Sequence, residues 1–106
     1  MNTVEYAMTS LETRYDRIFS PEDDLAAVVP IHTLDALERY IRDRLPPGGF
    51  LTAVLSNDLV GAFGAADSTN VEAMKEIIVF IYNRIPSSSW GSKEKVNAWI
   101  ANREEA

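Results

Sequence analysis

Apolar residues recur at helical spacing along most of the chain, and clusters of Pro, Gly, Ser and Asn interrupt them about every 15 residues. This pattern predicts an all-α protein, a compact bundle of four to five short helices. The predicted helices cover residues 21–29, 34–45, 50–66, 71–85 and 93–100. Thr33 and Ser92 are the predicted N-caps of the helices that follow them.

The acidic residues are concentrated towards the N terminus. Residues 1–24 contain six acids and two bases, whereas residues 25–106 contain ten acids and eight bases, so most of the net charge of −6 lies in the first segment. A further short helix is predicted over residues 9–19. The chain therefore divides into an acidic N-terminal segment, residues 1–30, and a helical domain, residues 31–106.

The predicted 71–85 helix is apolar on most of its circumference. Its main stripe consists of Val71, Met74, Ile78, Ile81, Tyr82 and Ile85. Ile77, Val79 and Phe80 extend the apolar surface well around the helix. Such a helix is central to its bundle or shared with another subunit. Because a core of short helices in a small chain is also marginal, the sequence predicts a homo-oligomer.

Two polar residues, Asn57 and Asp58, interrupt the apolar 50–66 helix. The stripe of this helix consists of Leu51, Leu55, Leu59, Ala62 and Ala66, and Asp58 falls inside it. A buried carboxylate must be paired or hydrogen-bonded. We expect Asp58 to be held by a cation or by the amides of a helix start, with an arginine from the 39–44 stretch or Arg84 as the main candidate. Asn57 is expected to bond the loop backbone near Trp90. The alternative is a polar pocket that contains Asp58 and Asn83 or an arginine.

The amino-acid composition excludes several common kinds of catalytic site. The chain has no cysteine and one histidine, which excludes disulfides, thiolate zinc sites and a cysteine nucleophile. The sequence around His32 shows no Ser-His-Asp or Glu-His pattern, so we expect a non-enzymatic protein without cofactor or metal. The negative charge disfavours nucleic acid as a partner, and no apolar run is long enough to span a membrane. We expect a cytoplasmic protein.

Two short segments carry groups that bind anions. Gly48 and Gly49 precede a helix, and Arg39 and Arg42 lie on the preceding one, which is a weak anion-site pattern. A tight corner between helices is the simpler interpretation of the two glycines. Trp90 is followed by Gly91, Ser92 and Lys93. In one interpretation the indole stacks on a base and the residues after it hold a phosphate. In the other, Trp90 packs the last helix against the core.

Residues 31–100 resemble a group of small proteins encoded by tailed bacteriophages and prophages. The shared landmarks are PPGGF, AVLSNDL, AAD followed by Asn70, YN at Tyr82 and Asn83, and WGS at Trp90 to Ser92. The resemblance implies a phage accessory protein, and that class is rich in inhibitors of host defence or host metabolism.

The leading functional hypothesis is a phage accessory protein that binds and inhibits a host protein, such as one of an anti-phage defence. The alternative is a sponge that sequesters a nucleotide signalling molecule, and a nucleic-acid mimic or an enzyme is a weaker fit. The candidate ligand-binding or partner-binding residues are Asn57, Asp58, Asn83, Trp90, Ser92, Lys93, Arg39 and Arg42.

Overall fold

The computed structural model describes residues 18–20 and 22–102, and in this part of the chain all regular structure is helical. The helices are α1 (Asp24–Ala27), α2 (Ile31–Asp43), α3 (Gly49–Leu55), α4 (Leu59–Ala65), α5 (Ser68–Glu72), α6 (Met74–Arg84) and α7 (Lys93–Ala101), with a 3₁₀ turn at Ser87–Ser89. The predicted all-α class is confirmed. Seven helices stand where five were predicted in this part of the chain, because two predicted helices are each divided in two.

Helix α2 begins earlier than the sequence suggests. Pro30 occupies its N-cap position, and the helix starts at Ile31 rather than after Thr33. Thr33 is buried, and its hydroxyl donates to Oδ1 of the buried Asn70, 2.6 Å away. The expected N-cap role of Thr33 is therefore wrong, since its side chain connects α2 to α5 instead. The helix ends at Arg44, which adopts a left-handed conformation before the two prolines.

The core lies between α2, α3, α6 and α7. Leu37, Tyr40, Leu55, Ile77 and Phe80 are completely buried. Burial of a large apolar side chain contributes about 1.5–3 kcal/mol, so these residues account for much of the fold's stability. Each comes from α2, α3 or α6, so these three helices provide the fully buried large side chains named here.

The face of α6 that enters the core differs from the predicted stripe. Ile77 and Phe80 are completely buried, whereas Ile78 and Tyr82 are substantially exposed. The predicted 71–85 helix is broken at Ala73, which is the C-cap of α5 and the N-cap of α6. The predicted stripe is confirmed at Met74, Ile81 and Ile85, which are buried, and wrong at Ile78 and Tyr82.

The core extends to residues before α2. Phe19, Ala26 and Val29 are buried, and the Phe19 ring packs edge-on against Phe80 with centroids 4.9 Å apart. The buried Glu38 carboxylate accepts hydrogen bonds from the backbone N–H groups of Ile18 and Phe19. The side of α6 opposite Ile78 is thus covered within one chain. Most of the predicted 9–19 helix lies outside the described residues.

Helix α1 is short, and its start is fixed by an aspartate. The Asp23 carboxylate accepts from the backbone N–H of Leu25, and it also pairs with Arg84 at 2.7 Å. The hydrogen bonds from the Arg84 guanidinium hold the pKa of Asp23 below its usual value. This ion pair connects α1 to the end of α6, on which α1 packs. The helix ends before Pro30, as predicted.

Candidate functional site

The two polar residues in the apolar 50–66 segment mark the end of one helix and the start of the next. Asn57 has φ +67°, a left-handed conformation that asparagine tolerates better than most residues. Asp58 is the N-cap of α4, and its Oδ1 accepts from the backbone N–H of Gly61 at 3.0 Å. The predicted continuous helix is therefore wrong, because Asn57 ends α3 and Asp58 begins α4.

Asp58 is exposed and is not the buried member of an ion pair. The expected arginine partners are engaged elsewhere or point to other groups: Arg84 binds Asp23, and Arg44 stacks on Trp99. The prediction of a buried Asp58–arginine pair is thus wrong, whereas the other expected partner, an amide of a helix start, is confirmed by the hydrogen bond from Gly61. A polar residue on an apolar stripe needs no buried partner when the helix ends beside it, because the N-cap role satisfies the carboxylate locally.

Gly61 permits the capping geometry of Asp58. A Cβ atom added at Gly61 would lie 2.2 Å from Oδ2 of Asp58, which is far inside contact distance. The carboxylate therefore lies directly against the backbone of the first turn of α4. Any side chain at residue 61 would displace it.

A mostly apolar pocket of about 120 Å³ opens beside this turn. Its floor and walls come from α3, α4, α6 and the loop before α7. The lining residues are Val54, Asn57, Asp58, Leu59, Ala62, Met74, Ile78, Ile81, Tyr82 and Trp90. The pocket brings together three of the predicted site residues, Asn57, Asp58 and Trp90.

Trp90 is held in place by hydrogen bonds on both sides of the pocket. Its indole Nε1 donates to the carbonyl oxygen of Ile85 at 3.3 Å, and the neighbouring Gly91 N–H donates to the carbonyl of Leu55 at 2.7 Å. Gly91 has φ +117°, a conformation that favours glycine. The loop before α7 is thus attached to the ends of α3 and α6. Trp90 anchors this loop and also forms one wall of the pocket.

The rings of Trp90 and Tyr82 meet at the pocket. Their centroids are 6.0 Å apart and their planes are inclined by 62°, which is an edge-to-face arrangement. Tyr82 is 72% exposed, although α6 also contributes the buried Ile77 and Phe80 to the core. Both aromatic side chains therefore line the pocket while Tyr82 also faces solvent.

The remaining predicted site residues lie elsewhere. The Asn83 side chain donates to the carbonyl of Val79 on its own helix, and Ser92 is the N-cap of α7, as predicted, accepting from the N–H of Lys95. Lys93 is exposed at the start of α7 and does not line the pocket. The expected polar pocket shared by Asp58 and Asn83 is therefore wrong.

The two arginines proposed for an anion site are exposed on α2. Arg42 pairs with its neighbour Asp43 at 2.8 Å, and this contact lowers the pKa of Asp43. A second cavity next to Gly48 and Gly49 includes neither Arg39 nor Arg42 in its lining. The structure thus supports the simpler interpretation of the glycines, in which Gly48 with φ +92° forms a corner between α2 and α3.

The charges of the Trp90 pocket are unbalanced. Asp58 is the one acidic residue in its lining, and no lysine or arginine of the described residues lines it.

Among residues 18–20 and 22–102, no cluster of three or more His, Asp or Glu side chains is placed to hold a metal ion. No helix in the same part of the chain is long and apolar enough to cross a membrane.

Sequence reasoning missed Leu59, Ile78 and Tyr82 as site residues because it assigned all three to buried stripes. One signal was available. The helix containing Tyr82 has more apolar residues than one core-facing stripe can use, so some of them had to be exposed.

Comparisons of the chain with protein-family models, curated proteins and solved structures find no match.

Proposed function

We propose that this chain is a non-enzymatic protein-binding module that docks an apolar segment of a partner protein on α4 and the adjoining face of α6. The observation that supports this function is the exposed apolar surface around the Trp90 pocket. Leu59, Ile78 and Tyr82 line the pocket and are exposed. Val60 and Phe63 do not line it, but they extend the exposed apolar surface along α4, and Val60 alone is 82% exposed. A cluster of large apolar side chains at a pocket is typical of a protein-interaction site.

The composition of α4 strengthens this argument. Its sequence, LVGAFGA, contains no charged or polar side chain. A solvent-facing helix normally carries polar residues on its outer face, yet Leu59 is 62% exposed and Phe63 is 46% exposed. A partner that covers these side chains would gain about 25 cal/mol for each Å² of apolar surface removed from water.

The partner in this proposal is a protein of a bacterial host, and binding inhibits it. The resemblance of residues 31–100 to phage-encoded proteins supports this assignment, as does the frequency of host inhibitors in that class. The protein would act in the host cytoplasm as an accessory protein. Its net charge of −6 would accelerate association with a basic partner surface.

The nucleotide sponge has no comparable support from the site. Such a ligand needs cations beside the stacking ring, but Lys93, Arg39 and Arg42 lie outside the lining of the Trp90 pocket. The lining instead carries the Asp58 carboxylate, which repels phosphate. The lining of the Trp90 pocket therefore supports the protein-binding function over the nucleotide sponge.

Site-specific photo-cross-linking tests the proposal. A photoreactive amino acid at residue 60 is expected to cross-link one host protein in a bacterial lysate, and excess unlabelled protein should compete with the cross-link. Val60→Asp should reduce binding at least about tenfold, because a carboxylate would enter the apolar contact. An aspartate is compatible with the first turn of α4, so folding should persist.

Val28→Asp is the matched control. Val28 is also an exposed valine, 53% exposed, but it follows α1 and belongs to neither α4 nor α6. Equal loss of binding in both variants, or no cross-linked host protein, would contradict the proposed surface. Cross-links only between two copies of the chain would identify the surface as the interface of the predicted homo-oligomer and refute the host-binding function.

A further inference from the structure

The Trp90 pocket has an apolar floor, two aromatic walls and one carboxylate at its rim. Ala62, Met74 and Ile81 are buried beneath the opening, while Tyr82 and Asp58 are exposed. Its volume of about 120 Å³ approaches the ~150 Å³ of an apolar cavity that holds benzene. A space of this size accommodates one long side chain of a partner.

The carboxylate and the indole are both fixed before any ligand binds. Oδ1 of Asp58 is bound by the N–H of Gly61, and among the described residues Oδ2 has no hydrogen-bond donor. Trp90 is held by its hydrogen bond to Ile85 and by the backbone link from Gly91 to Leu55. A fixed site of this kind avoids part of the entropic cost of binding.

We infer that the side chain entering the Trp90 pocket is a basic one, an arginine of the partner protein. The inference rests on the proposed function and specifies the chemistry of the residue that docks. The arginine methylenes would lie on the apolar floor, and the guanidinium would meet the Trp90 and Tyr82 rings and donate to Asp58. Arginine suits both contacts, since its planar group stacks on aromatic faces and donates in a fork to carboxylates.

The chain itself contains this combination elsewhere. The guanidinium carbon of Arg44 lies 3.7 Å from the ring centroid of Trp99, and the Tyr40 ring lies 6.2 Å from the same tryptophan. The Trp90 pocket has the tryptophan and the tyrosine at a similar separation, together with a carboxylate, but no cation of the described residues lines it. An arginine from outside would complete the arrangement.

The carboxylate decides between a basic and an apolar occupant. An apolar side chain would fill the floor, but its backbone and neighbours would cover Asp58 without compensating its charge. A basic side chain satisfies the same carboxylate and also benefits from the negative net charge of the protein. The charge and the aromatic walls therefore favour the cation.

Titration with small probes tests the inference. n-Butylguanidinium is compared with n-pentanamide, a neutral molecule of similar length, and the indole N–H signal of Trp90 is followed by NMR on labelled full-length protein. The cation should bind about tenfold more tightly, as charge-assisted contacts are stronger than neutral ones. Its affinity should fall with salt, while that of the amide should not.

Asp58→Asn is the decisive variant, because asparagine is as good an N-cap as aspartate and the fold is expected to persist. This variant should lose the preference for the cation. Glu72→Gln is the control, since it removes one exposed carboxylate that does not line the pocket. Equal binding of both probes, or an unchanged cation preference in Asp58→Asn, would overturn the inference.

Selection from a displayed library of random peptides separates failure of the inference from failure of the proposed function. Enriched peptides with an arginine beside apolar residues, which lose affinity for Asp58→Asn, support both. Peptides that bind Asp58→Asn as tightly as the parent overturn the arginine assignment and leave the protein-binding function intact. If no peptide is enriched by the parent over Val60→Asp, the proposed function fails, and the probe titration alone decides the cation preference.

Discussion

The two tryptophans of this protein occupy similar surroundings that differ in one respect. Trp99 packs beside Tyr40 with ring centroids 6.2 Å apart, and Trp90 beside Tyr82 at 6.0 Å. The Trp99 cluster is complete within the fold, because Arg44 stacks on the indole. The Trp90 cluster has a carboxylate and an apolar cavity, and the described residues provide no cation for it.

The hydrogen bonds of the two tyrosines show the same difference. The Tyr40 hydroxyl is buried and donates to the carbonyl of Ser89 at 2.7 Å, whereas Tyr82 is mostly exposed. Groups that the fold satisfies internally contribute to stability, and groups left unsatisfied at a pocket are available to a ligand. We therefore expect substitutions in the Trp99 cluster to reduce stability and those in the Trp90 cluster to reduce binding.

Truncation of each tryptophan should give the largest difference. Trp99→Ala removes a 2.8 Å hydrogen bond to the carbonyl of Tyr40 together with the stack on Arg44, and should destabilise by about 3 kcal/mol. Trp90→Ala removes a longer hydrogen bond and a ring that borders a cavity, so about 1.5 kcal/mol is expected. Urea unfolding followed by circular dichroism measures both values. Equal losses would contradict the distinction between a structural and a binding tryptophan.

Removal of each tyrosine hydroxyl is a finer comparison. Tyr40→Phe leaves the buried carbonyl of Ser89 without its donor and should cost about 1.5 kcal/mol. Tyr82→Phe removes an exposed hydroxyl and should change stability by no more than about 0.5 kcal/mol. The same urea series measures both variants. A larger loss for Tyr82→Phe would show that this tyrosine has a structural role.

The buried Tyr40 hydroxyl should also make the stability of the fold depend on pH in the alkaline range. Burial raises the pKa of Tyr40 from 10.0 to about 12, and the nearby positive charge of Arg44 opposes part of this rise. Because the unfolded chain loses this proton first, Tyr40 contributes stability that is complete below pH 10 and lost as the pH rises towards 12. Tyr40→Phe should lack this loss, and Tyr82→Phe should retain it. Melting temperatures measured across this pH range provide the check.

Local signals made several helix boundaries predictable. Ser92 was identified as the N-cap of α7 because a hydroxyl precedes the helical pattern there, and the end of α1 follows from Pro30. The break at Asn57 carries a local signal too, an asparagine suited to a left-handed conformation followed by a capping aspartate. Apolar residues keep their helical spacing across this break, and the periodicity outweighed the turn residues in the prediction.

The break at Ala73 has no such signal. Alanine is the best helix former, so nothing local predicts that α5 ends there. A contact distant in sequence connects α5 to α2, because the buried Asn70 side chain accepts from Thr33. Contacts between residues far apart in sequence cannot be derived from periodicity. The apolar excess of this helix indicates that some of its side chains are exposed, but periodicity alone does not identify Ile78 and Tyr82 as the ones.

The smallest expected effect concerns Asp58 itself. Asp58→Ala removes the acceptor for the Gly61 N–H and should destabilise by about 1 kcal/mol, whereas Asp58→Asn keeps an acceptor and should remain within about 0.5 kcal/mol of the parent. Thermal and urea unfolding of the three proteins distinguish these values. If Asp58→Asn were as unstable as Asp58→Ala, the negative charge itself would stabilise the fold. The carboxylate would then belong with the internally satisfied groups of the Trp99 cluster, and it would not be available to a partner's arginine.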